Sequence, residues 1–218
     1  MEHLLRVRQR VLEGIVSVDV VKDTLAGRLD PAIYIAYLTN VFHYAQHSAI
    51  VIAMAGARAV QRHPELARYL LHHADEELGH EQWALDDLAA LGVPAEIVRA
   101  SRPVTACAAM IGYEYYIAGH ANPVALFGWL YTLESMGDDL GSRIAQAIGP
   151  QLEGTGGRGL KFLAGHGEAD HDHTADLTRM ISTHITDPAD RADVNHVADV
   201  VGELYVSMFE QIGAEVRK

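Results

Sequence analysis

Two distant stretches of this chain repeat one spacing of metal-binding residue types, and that repetition constrains what the chain can fold into. In HGEADHDH, His166, Asp170 and His173 stand at i, i+4 and i+7, and in HHADEELGH, His73, Glu77 and His80 stand the same way. On an α-helix each set projects from a single stripe. Two imidazoles and a carboxylate are borderline ligands suited to iron, zinc or manganese. Between the stretches lies Glu134, inside the apolar run ALFGWLYTLESMG, where a lone carboxylate needs a partner to be tolerated. Three helices would thus converge His73, Glu77, His80, Glu134, His166, Asp170 and His173 on one place. That is too many ligands for one ion. The expectation is a dinuclear site with ions about 3.5–4 Å apart, bridged or flanked by Glu134.

The remaining chain reads as helix throughout. Leu4, Val7, Val11 and Ile15 give residues 2–17 an apolar stripe. Asp30-Pro31 pairs an N-cap residue with proline at the first helical position and starts a helix that runs to about Arg58. Pro64 opens the next, expected to run through the first ligand stretch to Leu91 and to stop at Gly92. Further helices are expected over 94–100, 104–118, 124–148, 160–184 and, after Asp187-Pro188, over 188–216. No segment alternates with period two. The fold class is therefore all-α, a bundle of about seven helices, and no linker divides residues 1–218 into more than one domain.

Composition narrows the function classes. The longest apolar run, AIVIAMAGA, is too short for a membrane span, and no secretory signal is visible at the N-terminus. A single cysteine, Cys107, excludes an internal disulfide and fits a reducing cytoplasm. A formal charge of −12 argues against a nucleic-acid surface. Trp83, Tyr113, Tyr116, Trp129 and Tyr131 are candidates to wall a dry substrate pocket, with core packing as the plain alternative. Arg143 and Lys161 are candidates to anchor a substrate carboxylate, with a surface role as the alternative. A homodimer is expected, through the amphipathic N- or C-terminal helix.

The succession EELGHEQWALDDLAALG, YEYY, GWLYTLESMG and HGEADHDH resembles the haem-oxygenase-like diiron oxidases and oxygenases over roughly residues 30–210. That fold is shared with TenA-type thiaminase II and PQQ synthase. The resemblance implies two ferrous ions, manganese being an alternative at one position, and O2 as co-substrate. It implies oxidative C–C cleavage or N-oxygenation of a small acid of the amino-acid or fatty-acid type. By the same resemblance His80, Glu134, His166, Asp170 and His173 would be iron ligands, with Glu77 the sixth. His73 stands where some members have a glutamate, so the resemblance leaves open whether His73 or Glu77 completes the second position. Two other classes are weighed beside it. A TenA-like thiaminase or pyrimidine-binding protein would use Cys107 as nucleophile and needs no metal stripe. A non-catalytic metal store or sensor would bind the same ions and lack a substrate pocket.

Overall fold

The computed structural model describes residues 1–155 and 159–217, without the side chains of 153–155 and 166–172. Helices α1 (Glu2–Ser17), α2 (Asp19–Leu25), α3 (Pro31–Ala59), α4 (Pro64–Glu76), α5 (His80–Ala90) and α6 (Ala95–Ala100) form the first half. The second half holds α7 (Thr105–His120), α8 (Leu126–Met136), α9 (Ser142–Ile148), α10 (Lys161–His184) and α11 (Pro188–Val216). No strand occurs among the described residues, and no described helix is long and apolar enough to cross a membrane.

Local chemistry accounts for the clearest boundaries. The Asp30 carboxylate accepts the Ala32 amide at 2.9 Å and Asp187 accepts the Ala189 amide at 2.7 Å. Each has proline next in the chain, so an orphan amide is satisfied where the following residue needs none. The apolar stripe of α1 is buried as its spacing predicts and packs on α8 and α11. The long α3 lies against α4, α5, α7 and α11, and α10 crosses α8, α5 and α4.

Two expected helices are divided, and each division has a physical reason. The expected helix 64–91 breaks between α4 and α5, where Gly79 takes φ +91°, a left-handed conformation that costs glycine little and other residues much. The expected helix 124–148 begins as a 3₁₀ turn at Pro123–Ala125 and widens to a π-helical turn at Gly137–Gly141, between α8 and α9. Arg8 of α1 grips that wide turn. Its guanidinium donates to both Asp139 oxygens at 2.7 Å and to Asp138 at 2.9 Å, a fork geometry that fixes orientation as well as charge. Helix α2 also falls where the sequence suggested no element.

The start of α10 is keyed to α5. Asp87, almost wholly buried, accepts the backbone amides of Lys161 and Phe162 at 2.8 Å each. It thus caps the helix from outside its own segment.

Gly128 brings α8 onto the backbone of α11. A Cβ there would stand 2.2 Å from the Val194 carbonyl oxygen and 2.8 Å from the Ala198 nitrogen. Neither can rotate aside, so the two helices must part. Gly128→Ala should therefore destabilise the protein by about 3 kcal/mol, well above the ~1 kcal/mol that alanine gains in helix propensity. That corresponds to a melting temperature lower by about 6–12 °C. An unchanged melting temperature would mean that α8 and α11 are not packed this closely.

Candidate metal centre

Three helices bring the site together. α4 supplies His73 and Glu76, Glu77 follows at its C-cap, α8 supplies Glu134, and α10 supplies His173. His73, Glu77, His80 and Glu134 are buried. The Glu134 carboxylate lies between two imidazoles, with Oε1 3.2 Å from His73 Nε2 and Oε2 3.4 Å from His173 Nδ1. The two rings meet edge to face with centroids 4.8 Å apart, and Tyr69 stacks on His73 at 5.8 Å. His73 Nε2 thus faces the Glu134 carboxylate of α8 while its Nδ1 faces Glu76.

Breaking the helix at Gly79 changes the first stripe. His73 and Glu77 keep their common face, but His80 begins a new helix. Its Nδ1 stands 3.3 Å from Glu77 Oε1 and its ring lies 4.2 Å from that of Trp83. The side chains of His166 and Asp170, expected as ligands, lie outside the described residues. Glu76 was not singled out by the spacing, yet its Oε2 is 3.6 Å from His73 Nδ1 and 3.8 Å from His173 Nε2. The i, i+3 relation to His73 was the available signal.

Two sets of donors result, His73 with Glu77 and Glu134, and His73 with Glu76 and His173. Within each set the donor atoms lie within 4.8 Å of one another. A cation with ligand bonds of about 2.1 Å spans donors about 4.2 Å apart, so small side-chain rotations complete either set. The buried His73 Nδ1 makes no hydrogen bond, an arrangement that costs free energy unless something else engages it.

The electrostatics point the same way. Burial alone lowers the His73 pKa, but its hydrogen bond and charge interaction with Glu134, with Glu77 adding, carry it above the ordinary value. For His173 the bond to Glu134 is the largest influence and outweighs burial, again raising the pKa. Clustered carboxylates thus ask for positive charge at this place, which protons or a metal ion can supply.

A family model described as iron-containing redox enzyme matches residues 35–204. The chain belongs to this family. Its His73, Glu77 and Glu134 side chains form a buried set of mixed imidazole and carboxylate donors, types that suit a divalent transition metal. Among solved structures it is similar to a domain of unknown function with a heme oxygenase-like fold from Shewanella denitrificans. That domain is 26% identical, with a TM-score of 0.88 over 98% of this chain and 91% of the other. A TenA homologue from Pseudomonas syringae pv. tomato is 16% identical, with a TM-score of 0.81 over 98% and 92%. Another from P. horikoshii is 15% identical, with a TM-score of 0.70 over 97% and 96%. The fold is thus haem-oxygenase-like. Among curated protein sequences none matches significantly.

A small cavity of about 60 Å³ adjoins Glu77 and Glu134. Tyr44, Ser48, Leu133, Phe162 and Tyr205 form much of its wall, together with Trp129. Of the other residues expected around a pocket, Trp83 lies against His80, and Tyr131 is buried elsewhere, close to Arg8. Tyr113 and Tyr116 stack on each other at 6.5 Å, with Tyr116 56% exposed. Arg143 is exposed, and so is Lys161, whose ammonium pairs with Asp86 at 2.7 Å. Neither cation lines the cavity.

Proposed function

We propose that this protein is a non-haem diiron oxidase or oxygenase that uses O2 to oxidise a small carboxylate-bearing substrate of the amino-acid or fatty-acid type. One observation carries the reading: buried Glu134 presents one oxygen to each of two histidines from different helices, with Glu77 beside them. Bound iron would supply the electrons that O2 reduction requires. His73, Glu77, Glu134 and His173 are the described residues that would hold it, with His80 adjacent and His166 and Asp170 completing the set by resemblance. Manganese at one position is the variant of this reading.

The chain's own residues then do three things. The mixed imidazole and carboxylate donors hold the metal while leaving room for further ligands. Leu133, Phe162 and Trp129 keep the adjoining cavity chiefly apolar, which protects a reactive oxidant from water. Tyr44, Ser48 and Tyr205 also line the cavity, the two tyrosines bonded to each other, and such hydroxyls can bond a substrate carboxylate.

Thiaminase chemistry finds less support. Cys107 is fully buried, bonds the Asn40 carbonyl at 3.7 Å, and burial, with Glu114 adding, pushes its thiol up to about 12. A nucleophilic cysteine needs a thiolate near neutral pH. The test is iron content after anaerobic ferrous loading and desalting, followed by O2 uptake with panels of amino acids and fatty acids. About two iron ions per chain and substrate-dependent uptake are expected. No retained metal would overturn the reading, and two ions with no uptake for any substrate would favour a metal store. Anomalous scattering at the iron and manganese edges then identifies each ion.

A further inference from the structure

The donors of this site are graded from the solvent inward. His72 is 72% exposed and its Nε2 lies 3.6 Å from Glu76, whose side chain is 41% exposed. Glu76 Oε2 in turn faces His73 Nδ1 and His173 Nε2, and only beyond them lie the buried Glu134 and Glu77. His73 stands at the junction, 1% exposed, with an Nδ1 that makes no hydrogen bond and is aimed outward at Glu76. A neutral imidazole has one lone pair to give, on one nitrogen or the other. The outer set of His73, Glu76 and His173 and the inner set of His73, Glu77 and Glu134 therefore cannot both use this ring at once. They are successive positions.

We propose that Glu76, with His73 Nδ1 and His173, forms an outer loading position that captures a divalent cation near the surface and passes it to the inner position. The inference rests on the metal-binding reading above. At the outer position the ion is bound through Nδ1, and the proton on Nε2 faces Glu134. Transfer inward exchanges the roles of the two nitrogens: Nε2 takes the ion and Nδ1 takes the proton, facing Glu76. No charge is created or lost by the ring. The direction follows from burial, because two carboxylates in a poorly solvated place attract a cation more strongly than one at the rim. Glu76 also puts a negative charge at the mouth, where it raises the rate of cation encounter.

A loading ligand has a kinetic signature. It changes the rate of approach to equilibrium without changing the inner complex, so association and dissociation slow together. The experiment is stopped-flow binding of Co2+ to the metal-free full-length protein, read by the cobalt absorption bands, alongside equilibrium titration. Glu76→Gln should slow Co2+ association about tenfold at low salt, with stoichiometry and final spectrum those of the parent protein. Glu65→Gln removes the same charge from an exposed position on α4, where Glu65 pairs with Arg68, and should leave the rate unchanged. Unchanged association in Glu76→Gln, or equal slowing in Glu65→Gln, would overturn the loading position. A lower stoichiometry or altered spectrum in Glu76→Gln would also overturn it, making Glu76 a resident ligand. Absence of Co2+ binding by the parent protein would overturn the metal reading itself, a separate outcome.

Discussion

Glu134→Ala is expected to remove iron from the inner position and with it all substrate-dependent O2 uptake, while the fold persists. Glu134 is the buried carboxylate that reaches histidines of both α4 and α10; Glu76 meets the same two rings only from the partly exposed rim and cannot take its place inside. Its loss leaves no stranded charge, because the raised pKa values of His73 and His173 depend on Glu134, and without it both rings can become neutral. The usual penalty for breaking a buried ion pair, about 3–5 kcal/mol, arises from an uncompensated charge and is largely avoided here. Iron per chain after loading, measured beside a thermal melt of the metal-free protein, separates the two effects. Parent-level iron in a folded Glu134→Ala protein would remove the basis of the proposed centre.

A second large effect is expected at a residue outside the ligand set described above. Glu114, on α7, is 1% exposed, and neither of its oxygens is hydrogen-bonded among the described residues. Burial pushes its pKa from the ordinary 4.5 up to about 8, opposed only in part by the nearby Trp129 indole. Between those two values the folded state keeps a proton that the unfolded state has released, so stability falls as pH rises from about 4.5 to about 8. Glu114→Gln keeps the shape and cannot ionise. It should match the parent protein near pH 4 and exceed it by about 3 kcal/mol at pH 7, from roughly 1.4 kcal/mol per pH unit. Denaturant midpoints of the two proteins across this range provide the check. Parallel curves would show that Glu114 is already ionised and has its charge satisfied.

Much of this was legible in sequence because helix caps and stripes are local. The Asp-Pro starts of α3 and α11 and the apolar face of α1 follow from chemistry within a few residues. The convergence of His73, Glu77, Glu134 and His173 was legible for a related reason, since each is costly to bury alone. Other features depended on packing that no local pattern reports. Gly79 reads equally as a weak helix-interior residue or as a left-handed break, and only the structure distinguishes them. The π turn after Glu134 depends on Arg8, about 130 residues earlier in the chain. Glu114 was hidden within an aromatic cluster whose own positions suggested a pocket; of the aromatics singled out there, Trp129 lines the cavity. Asp87 carries no local sign that it caps α10, because the amides it accepts lie about 75 residues later in the chain.

That cap has a bearing on which changes of chain length the protein can accept. Because Asp87 holds the amides of Lys161 and Phe162, the rotational phase of α10 is set at its first residues and not by the stretch that leads into it. An extra residue inserted between Thr155 and Gly159 would lengthen the approach and leave His173 facing Glu134. The same insertion between Phe162 and His173 would turn every later side chain by about 100° about the helix axis and carry the imidazole away from its carboxylate. Related chains should therefore vary freely in length before Gly159 and scarcely at all in the twelve positions from Phe162 to His173.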